Sequence, residues 1–254
     1  MTEVWKLFRY RPVNANLWQE LELAEFYCCR AGELNDPWDC HVDWRASIQR
    51  TLQSPDLDTA RRAKLSLLQN QFSRESNDFF NVGVCCFTCK VDDRLMWAHY
   101  ADSHRGVCLL YHFPQPYFME RYTPERDPAF YFVGASRVFY GDDIFHEWLV
   151  SGDIETPFAN DVGQNALARL FCSKAQAWAH EEEFRMVMRH PGKVAFEPGF
   201  LTQVVFGTET PPDHVRLISQ LAKRANRGVT LSQVRKSPEA DFGMIFPPVA
   251  PAPR

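Results

Sequence analysis

The sequence predicts a single α+β domain built on a twisted, mostly antiparallel sheet, whole or split, with a helical insertion. Three observations carry that expectation. Short runs rich in Val, Phe, Tyr and Cys recur along the whole chain, as strands do. Helical patterns lie between them without the regular alternation of a parallel sheet. The chain has 254 residues, no internal repeat and no Gly- or Ser-rich linker, so one domain is the economical reading. Its bounds are set at 1–245, with the insertion at about 41–76 and a loose, Pro-rich tail at 246–254.

The elements follow in order. Val4 to Arg11 reads as a strand stopped by Pro12. Asn14 or Asn16 can cap a helix from Leu17 to Ala24. Glu25 to Arg30 is a second strand, and Asn35-Asp-Pro-Trp-Asp39 a turn fixed by side chain to backbone bonds. His41 to Leu52 is helical, and Ser54-Pro55 opens a second helix with Leu65, Leu68 and Phe72 on its apolar face. Asn81 to Thr88 and Gly106 to Phe113 are buried strands on either side of a short helix, Leu95 to Tyr100. Pro114 to Pro128 is a surface region, Ala135 to Tyr140 a strand, and Ile144 to Val150 and Asp161 to Lys174 helices. Phe184 to Met188 and Leu201 to Gly207 are strands. A helix from Thr210 to Arg224 and a strand from Val229 to Lys236 complete the pattern.

Composition narrows the class. Apolar residues make up 45% and charged residues 24%, the balance of a folded soluble chain. The net charge of −4 provides no global field for nucleic acid. The eight cysteines mostly sit in apolar runs, where Cys packs as a small hydrophobe. Met1 to Arg11 has no signal-peptide pattern and no stretch is long enough to span a membrane. The expected setting is reducing and cytoplasmic.

The densest chemistry lies in Lys174-Ala-Gln-Ala-Trp178-Ala-His180-Glu-Glu-Glu-Phe-Arg185. Strand alternation puts Glu181, Glu183 and Arg185 on one side and Glu182 and Phe184 on the other. Paired carboxylates at a strand mouth raise at least one pKa, which suits acid/base work. The competing reading is a charged turn ahead of an edge strand. Trp97-Ala-His99-Tyr100-Ala-Asp102-Ser-His104-Arg-Gly106 is the second polar motif. His99 is either an acid/base group steadied by Asp102 or a tie between helix and strand, and Gly106 is a turn glycine. Asp36, Asp39 and His41, with His99, form a weaker set of metal ligands. Cys86-x-x-Cys89 has half of a zinc spacing and no second pair.

Leu7-Phe-Arg-Tyr-Arg-Pro12, Asn35-Asp-Pro-Trp-Asp39, Cys86-Phe-Thr88, Leu95-Met-Trp-Ala-His-Tyr-Ala101, His104-Arg-Gly-Val-Cys-Leu109, Lys174-x3-Trp178-x2-Glu181-x-Glu183-x-Arg185 and Val205-Phe-Gly207 occur in this order. Together they resemble the bacterial domain-of-unknown-function family twenty-nine seventy-one over nearly the full chain. Trp38 stands where that family often has Phe, and His180 where it often has Tyr. The family's setting suggests an effector in phage defence or a toxin–antitoxin pair, with an antitoxin or defence-system partner.

A shorter pattern resembles ADP-ribosyltransferases of the Arg–Ser/Thr–Glu type. It consists of Arg9 or Arg11 on the first strand, Thr88 ending a middle strand, and Glu181-x-Glu183 entering a late one. The opening strand–helix–strand is also similar to that fold, although Cys86-Phe-Thr88 replaces the fuller Ser-Thr-Ser motif. The resemblance implies an ADP-ribosyltransferase-like fold and an enzyme that consumes NAD, without a metal, by transfer or hydrolysis. Glu183 would stabilise an oxocarbenium-like ribose and Glu181 would polarise the nucleophile. Arg9 or Arg11 would clamp phosphate or ribose, with Lys174 as a second phosphate group. Arg185 is counted with the cofactor-binding residues. Thr88 would orient the nicotinamide end or the catalytic Glu, and Tyr10, Trp97 or Tyr100 would stack on a ring. The acceptor would be protein, nucleic acid, a small molecule or water. Two other expectations stand beside it. One is a non-catalytic module that binds a nucleotide or a partner. The other is a metal-dependent nuclease using the Asn-Asp-Pro turn and His99.

Overall fold

A computed structural model describes residues 3–74, 81–152, 166 and 169–249. The strands in chain order are β1 Val4–Arg11, β2 Glu25–Arg30, β3 Gly83–Thr88, β4 Val107–Pro114, β5 Phe132–Arg137 and β6 Phe139–Tyr140. They continue with β7 Ser173–Lys174, β8 Glu183–Met188, β9 Gly192–Ala195, β10 Leu201–Phe206, β11 Thr230–Gln233, β12 Arg235–Lys236 and β13 Met244–Ile245. The helices are α1 Ala15–Leu23, α2 Trp44–Leu52, α3 Thr59–Arg74, α4 Arg94–Tyr100, α5 Pro116–Arg121, α6 Ile144–Ser151 and α7 Pro212–Ala225. Helices and mostly antiparallel strands are intermingled, the α+β pattern that the sequence predicts.

The chain forms two compact units, each made of separate segments. The first comprises Met1–Tyr27, Cys86–Glu120 and Lys193–Arg254; the second comprises Cys28–Cys85 and Arg121–Gly192.

In the first unit β1 pairs antiparallel with β4 along its whole length, from Val4 opposite Pro114 to Arg11 opposite Val107. Strand β10 pairs antiparallel with β4, and β11 lies parallel to β10. A parallel neighbour needs a crossover, and α7 supplies it between those two strands. The alternation of β1 assigns its faces. Phe8 and Tyr10 enter a core with Trp97, Cys108, Leu110 and Val205, whereas Arg9 lies over the rings of Phe26 and Phe87 at 5.3 and 5.4 Å. Phe246 to Val249, where the tail was expected to begin, run along β11. Gln233 donates to the Pro247 carbonyl and Val249 to that of Leu231. Residues 250–254 of that tail lie outside the described residues.

In the second unit Cys29 and Arg30 of β2 pair with Val84 and Gly83 of β3. Strand β8 pairs antiparallel with β5 through a bulge between Phe132 and Gly134. Strands β6 and β7 form a short parallel pair. Helix α2 is capped by Asp43, whose carboxylate accepts from Ala46 N–H. Helix α3 starts at Thr59 rather than at Ser54-Pro55, because the Asp58 carboxylate accepts from Arg61 N–H at 2.8 Å. The apolar stripe of α3 is real: Leu65, Leu68 and Phe72 are buried, and Phe72 meets Trp44 edge-on at 5.1 Å. The helix expected from Asp161 lies largely outside the described residues, and its expected end is strand β7.

Two glycines act by close approach rather than by conformation. A Cβ on Gly106 would lie 2.1 Å from the Arg11 carbonyl, and one on Gly207 2.0 Å from that of His104. Neither has positive φ; Gly106 ends the turn after α4, its N–H donating to the Ala101 carbonyl at 2.8 Å.

Candidate functional site

The site is assembled in the second unit from three short segments. Residues 176–181 form a 3-10 turn that Glu182 ends with a φ of 42°. That left-handed residue turns the chain into β8, all six residues of which are buried. Glu183 and Arg185 then share one face of the strand, as alternation requires. Lys174 arrives on β7. Asp39 arrives on the Asn-Asp-Pro turn, where Asp36 accepts from Trp38 N–H at 2.9 Å. Trp178 joins the two turns by donating its indole N–H to Asp36 at 2.8 Å.

Arg185 is the centre of the cluster. Its Nε and Nη2 reach Glu183 at 2.8 and 2.9 Å. Its Nη1 and Nη2 reach the two oxygens of Asp39 at 2.8 and 2.7 Å. Nη1 also donates to the Phe171 carbonyl at 2.8 Å. Lys174 donates to Glu181 at 2.5 Å and to Glu183 at 3.3 Å, and lies under Trp178 at 4.9 Å from the ring centre. The Tyr140 hydroxyl accepts the Glu183 N–H at 2.8 Å. No side chain among Asp39, Lys174, Glu181, Glu183 and Arg185 is more than 6% exposed. Desolvated charges are tolerable only when paired this completely. Both Glu183 oxygens are already acceptors, which leaves the carboxylate little freedom to act as a base. Burial pushes the Tyr140 hydroxyl up to about 12 and the Cys172 thiol up to about 12. Burial also raises Cys40, the largest influence on it, although Arg185 stands 3.2 Å from its sulfur.

Beside this cluster lies a cleft of about 360 Å3 whose lining includes Trp38, Asp39, His41, Asp142, Asp143 and Lys174. Trp38 is 84% exposed. Asp143 is held by Arg50 at 2.7 Å, while Asp142 has no ion-pair partner among the described residues.

The other expected site residues belong to the first unit, and most are engaged there. Arg9 and Arg11 both hold the buried carboxylate of Glu20, at 3.4 and 2.8 Å, and Tyr111 donates its hydroxyl to the same carboxylate at 2.6 Å. Thr88 is buried and its hydroxyl accepts the Lys90 N–H. Tyr10 and Trp97 meet edge-on at 5.0 Å inside the core and donate to the carbonyls of Lys90 and Val91. A core ring cannot also stack on a ligand. His99 is exposed and lies edge-on to Tyr100, and Asp102 pairs with Arg105 instead of with His99. Among the described residues no group of three or more His, Cys, Asp or Glu side chains is placed to hold a metal ion. None of the eight cysteines is in a disulfide.

Asp39 and Tyr140 were not expected as partners of the Glu-x-Glu segment. A signal for Asp39 existed: Asn35 to Asp39 and Lys174 to Arg185 belong to the same ordered set of signatures. Three acids facing two cations also called for pairing. Tyr140 gives no sequence signal, because its hydroxyl is placed by the β6–β7 pair.

No curated protein and no solved structure matches the chain. Residues 96–186 match the model of the family described as Protein of unknown function (DUF2971), which is the family that the ordered signatures resemble.

Proposed function

We propose that the chain is a binding module whose second unit takes a cationic group of a partner, with Asp39 and Lys174, fixed by the Glu-x-Glu cluster behind them, as the floor of the cleft. The observation behind this reading is the double fork of Arg185, which consumes the carboxylates of Glu183 and Asp39. Above that floor, aspartates outnumber cations and an exposed indole stands at the rim. Guanidinium and ammonium groups are attracted to such a combination, and stacking on Trp adds about 0.5–1 kcal/mol.

A second reading keeps one support. Glu181 and Glu183 share the Lys174 ammonium and enter a strand in the order seen in ADP-ribosyltransferases. In that reading NAD is the substrate, and its phosphates would have to displace Glu20 from Arg9 or Arg11.

Titration with a short arginine-rich peptide and with NAD, followed by Trp fluorescence, separates the two. The module binds the peptide, loses affinity several-fold in Trp38→Ala and in Asp142→Asn, and leaves NAD intact. Release of nicotinamide by the wild type that is lost in a folded Glu183→Gln variant would replace it with the transferase. Absence of peptide binding would sink the cationic-group reading.

A further inference from the structure

The first unit has a cleft of about 350 Å3 lined in part by Arg94, His104, Glu209, Arg235, Lys236 and Phe242. His104, which lines it, sits at the end of a backbone stretch held in an uncommon form. Asp102, Ser103 and His104 have φ of 48, 51 and 67°, three left-handed residues in succession without a glycine. Such runs are disfavoured for side-chain-bearing residues and persist only where their surroundings fix them. Here Ser103 donates to the Ala98 carbonyl and His104 to that of Trp97, while Glu209 donates to the His104 carbonyl at 3.0 Å. Gly207 lies against that same carbonyl, where any Cβ would collide. The result is a rigid mount for the His104 ring, which stacks on Trp97 at 6.1 Å. The Nδ1 of His104 is buried and has no hydrogen-bond partner among the described residues.

The cleft sets three cations, Arg94, Arg235 and Lys236, against two carboxylates, Glu209 and Asp241, beside an aromatic ring. Arg235 and Lys236 are exposed neighbours without an ion-pair partner among the described residues. Phe242 is 75% exposed, and the Arg94 guanidinium lies 5.0 Å from its ring centre. An exposed aromatic ring backed by a guanidinium is a platform for a nucleobase, and neighbouring cations suit a phosphate.

We propose that this cleft is a mononucleotide site, with Arg235 and Lys236 on the phosphate, Phe242 under the base and Glu209 accepting from a ribose hydroxyl. His104 lines the same cleft. Its burial lowers its pKa from the ordinary 6.5 despite the nearby Glu209, so the ring adds no positive charge to the cleft at pH 7. The site is independent of the acidic cleft in the second unit.

The test is calorimetric titration of the whole chain with adenosine monophosphate, ribose 5-phosphate, adenosine and inorganic phosphate. The monophosphate nucleotide should bind best. An Arg235→Glu, Lys236→Glu double variant should lose at least tenfold in affinity for it. Phe242→Ala should bring the nucleotide down to the affinity of ribose 5-phosphate. All three residues are exposed, so these variants should melt with the wild type, and Asp142→Asn in the other cleft should bind the nucleotide unchanged. No nucleotide binding at millimolar concentration would overturn the proposal. So would a nucleotide affinity no higher than that of inorganic phosphate and insensitive to Phe242→Ala.

Discussion

Among the described residues, the two units bury ionic groups with opposite stoichiometry. In the first, one carboxylate, Glu20, serves two guanidiniums and a phenol hydroxyl. In the second, two cations serve three carboxylates. The first has a surplus of positive charge and an outlet for it: the Arg11 side chain is 18% exposed, so water shares its charge. The other cation, Arg9, rests on the faces of Phe26 and Phe87. Among the described residues the second sets three carboxylates against two cations, and none of these five side chains is more than 6% exposed. It relies on one guanidinium that forks in two directions and on polar groups that finish the pairing. The comparison teaches that a carboxylate is the keystone of one cluster and an arginine that of the other.

Removing each keystone tests this. Arg185→Met should cost most, roughly 3–5 kcal/mol by urea unfolding, because it leaves Asp39 and Glu183 buried with Lys174 as their shared cation. Arg185→Lys should recover little of this, since an ammonium cannot fork. A lysine variant within about 1 kcal/mol of wild type would break the comparison. Glu20→Gln should cost less, about 2–3 kcal/mol, because Arg11 can turn to water. If it proves as costly as Arg185→Met, the outlet through Arg11 is not the difference between the clusters.

Acid sharpens the contrast. Burial alone would raise the Glu20 pKa, but Arg9, Arg11 and the Tyr111 hydroxyl outweigh it and hold the carboxyl below its ordinary value of 4.5. A depressed carboxylate adds stability above its unfolded pKa and loses it as pH falls through the folded one. Unfolding midpoints should therefore drop with pH below about 4.5, and Glu20→Gln should flatten that limb. His104 adds a smaller slope of the same sign. Burial lowers its pKa from 6.5, against the pull of Glu209, so its contribution is complete above 6.5 and fades below. A His104→Gln variant should lose only that upper part of the slope. The smallest effect belongs to Trp38→Ala, within about 0.5 kcal/mol of wild type, since the indole is almost wholly in solvent. Its loss of peptide affinity would then be a binding effect alone.

Strand β1 shows how far the sequence reached. Its alternation put Arg9 and Arg11 on one face, and both indeed meet the same carboxylate. The cap of α1 was legible as Asn14 or Asn16, and it is Asn14, whose side chain accepts from the Asn16 and Leu17 N–H groups. Alternation likewise set Glu183 beside Arg185. The start of α3 was misread because Ser54-Pro55 and Asp58 are both respectable openings, and it is the Asp58 carboxylate that accepts from the first-turn Arg61 N–H.

The sequence by itself determined most of the longer elements, because hydrophobic periodicity, caps and strand alternation act within a few residues. It also determined the family signature and which charges share a face. What those charges do was decided by the tertiary structure. Glu20 lies nine residues from Arg11 and 91 from Tyr111, and Asp39 lies 146 residues from Arg185. Whether a carboxylate is a free base or a neutralised ion depends on which cation the fold delivers to it. It depends equally on whether water follows, and neither is written in local sequence.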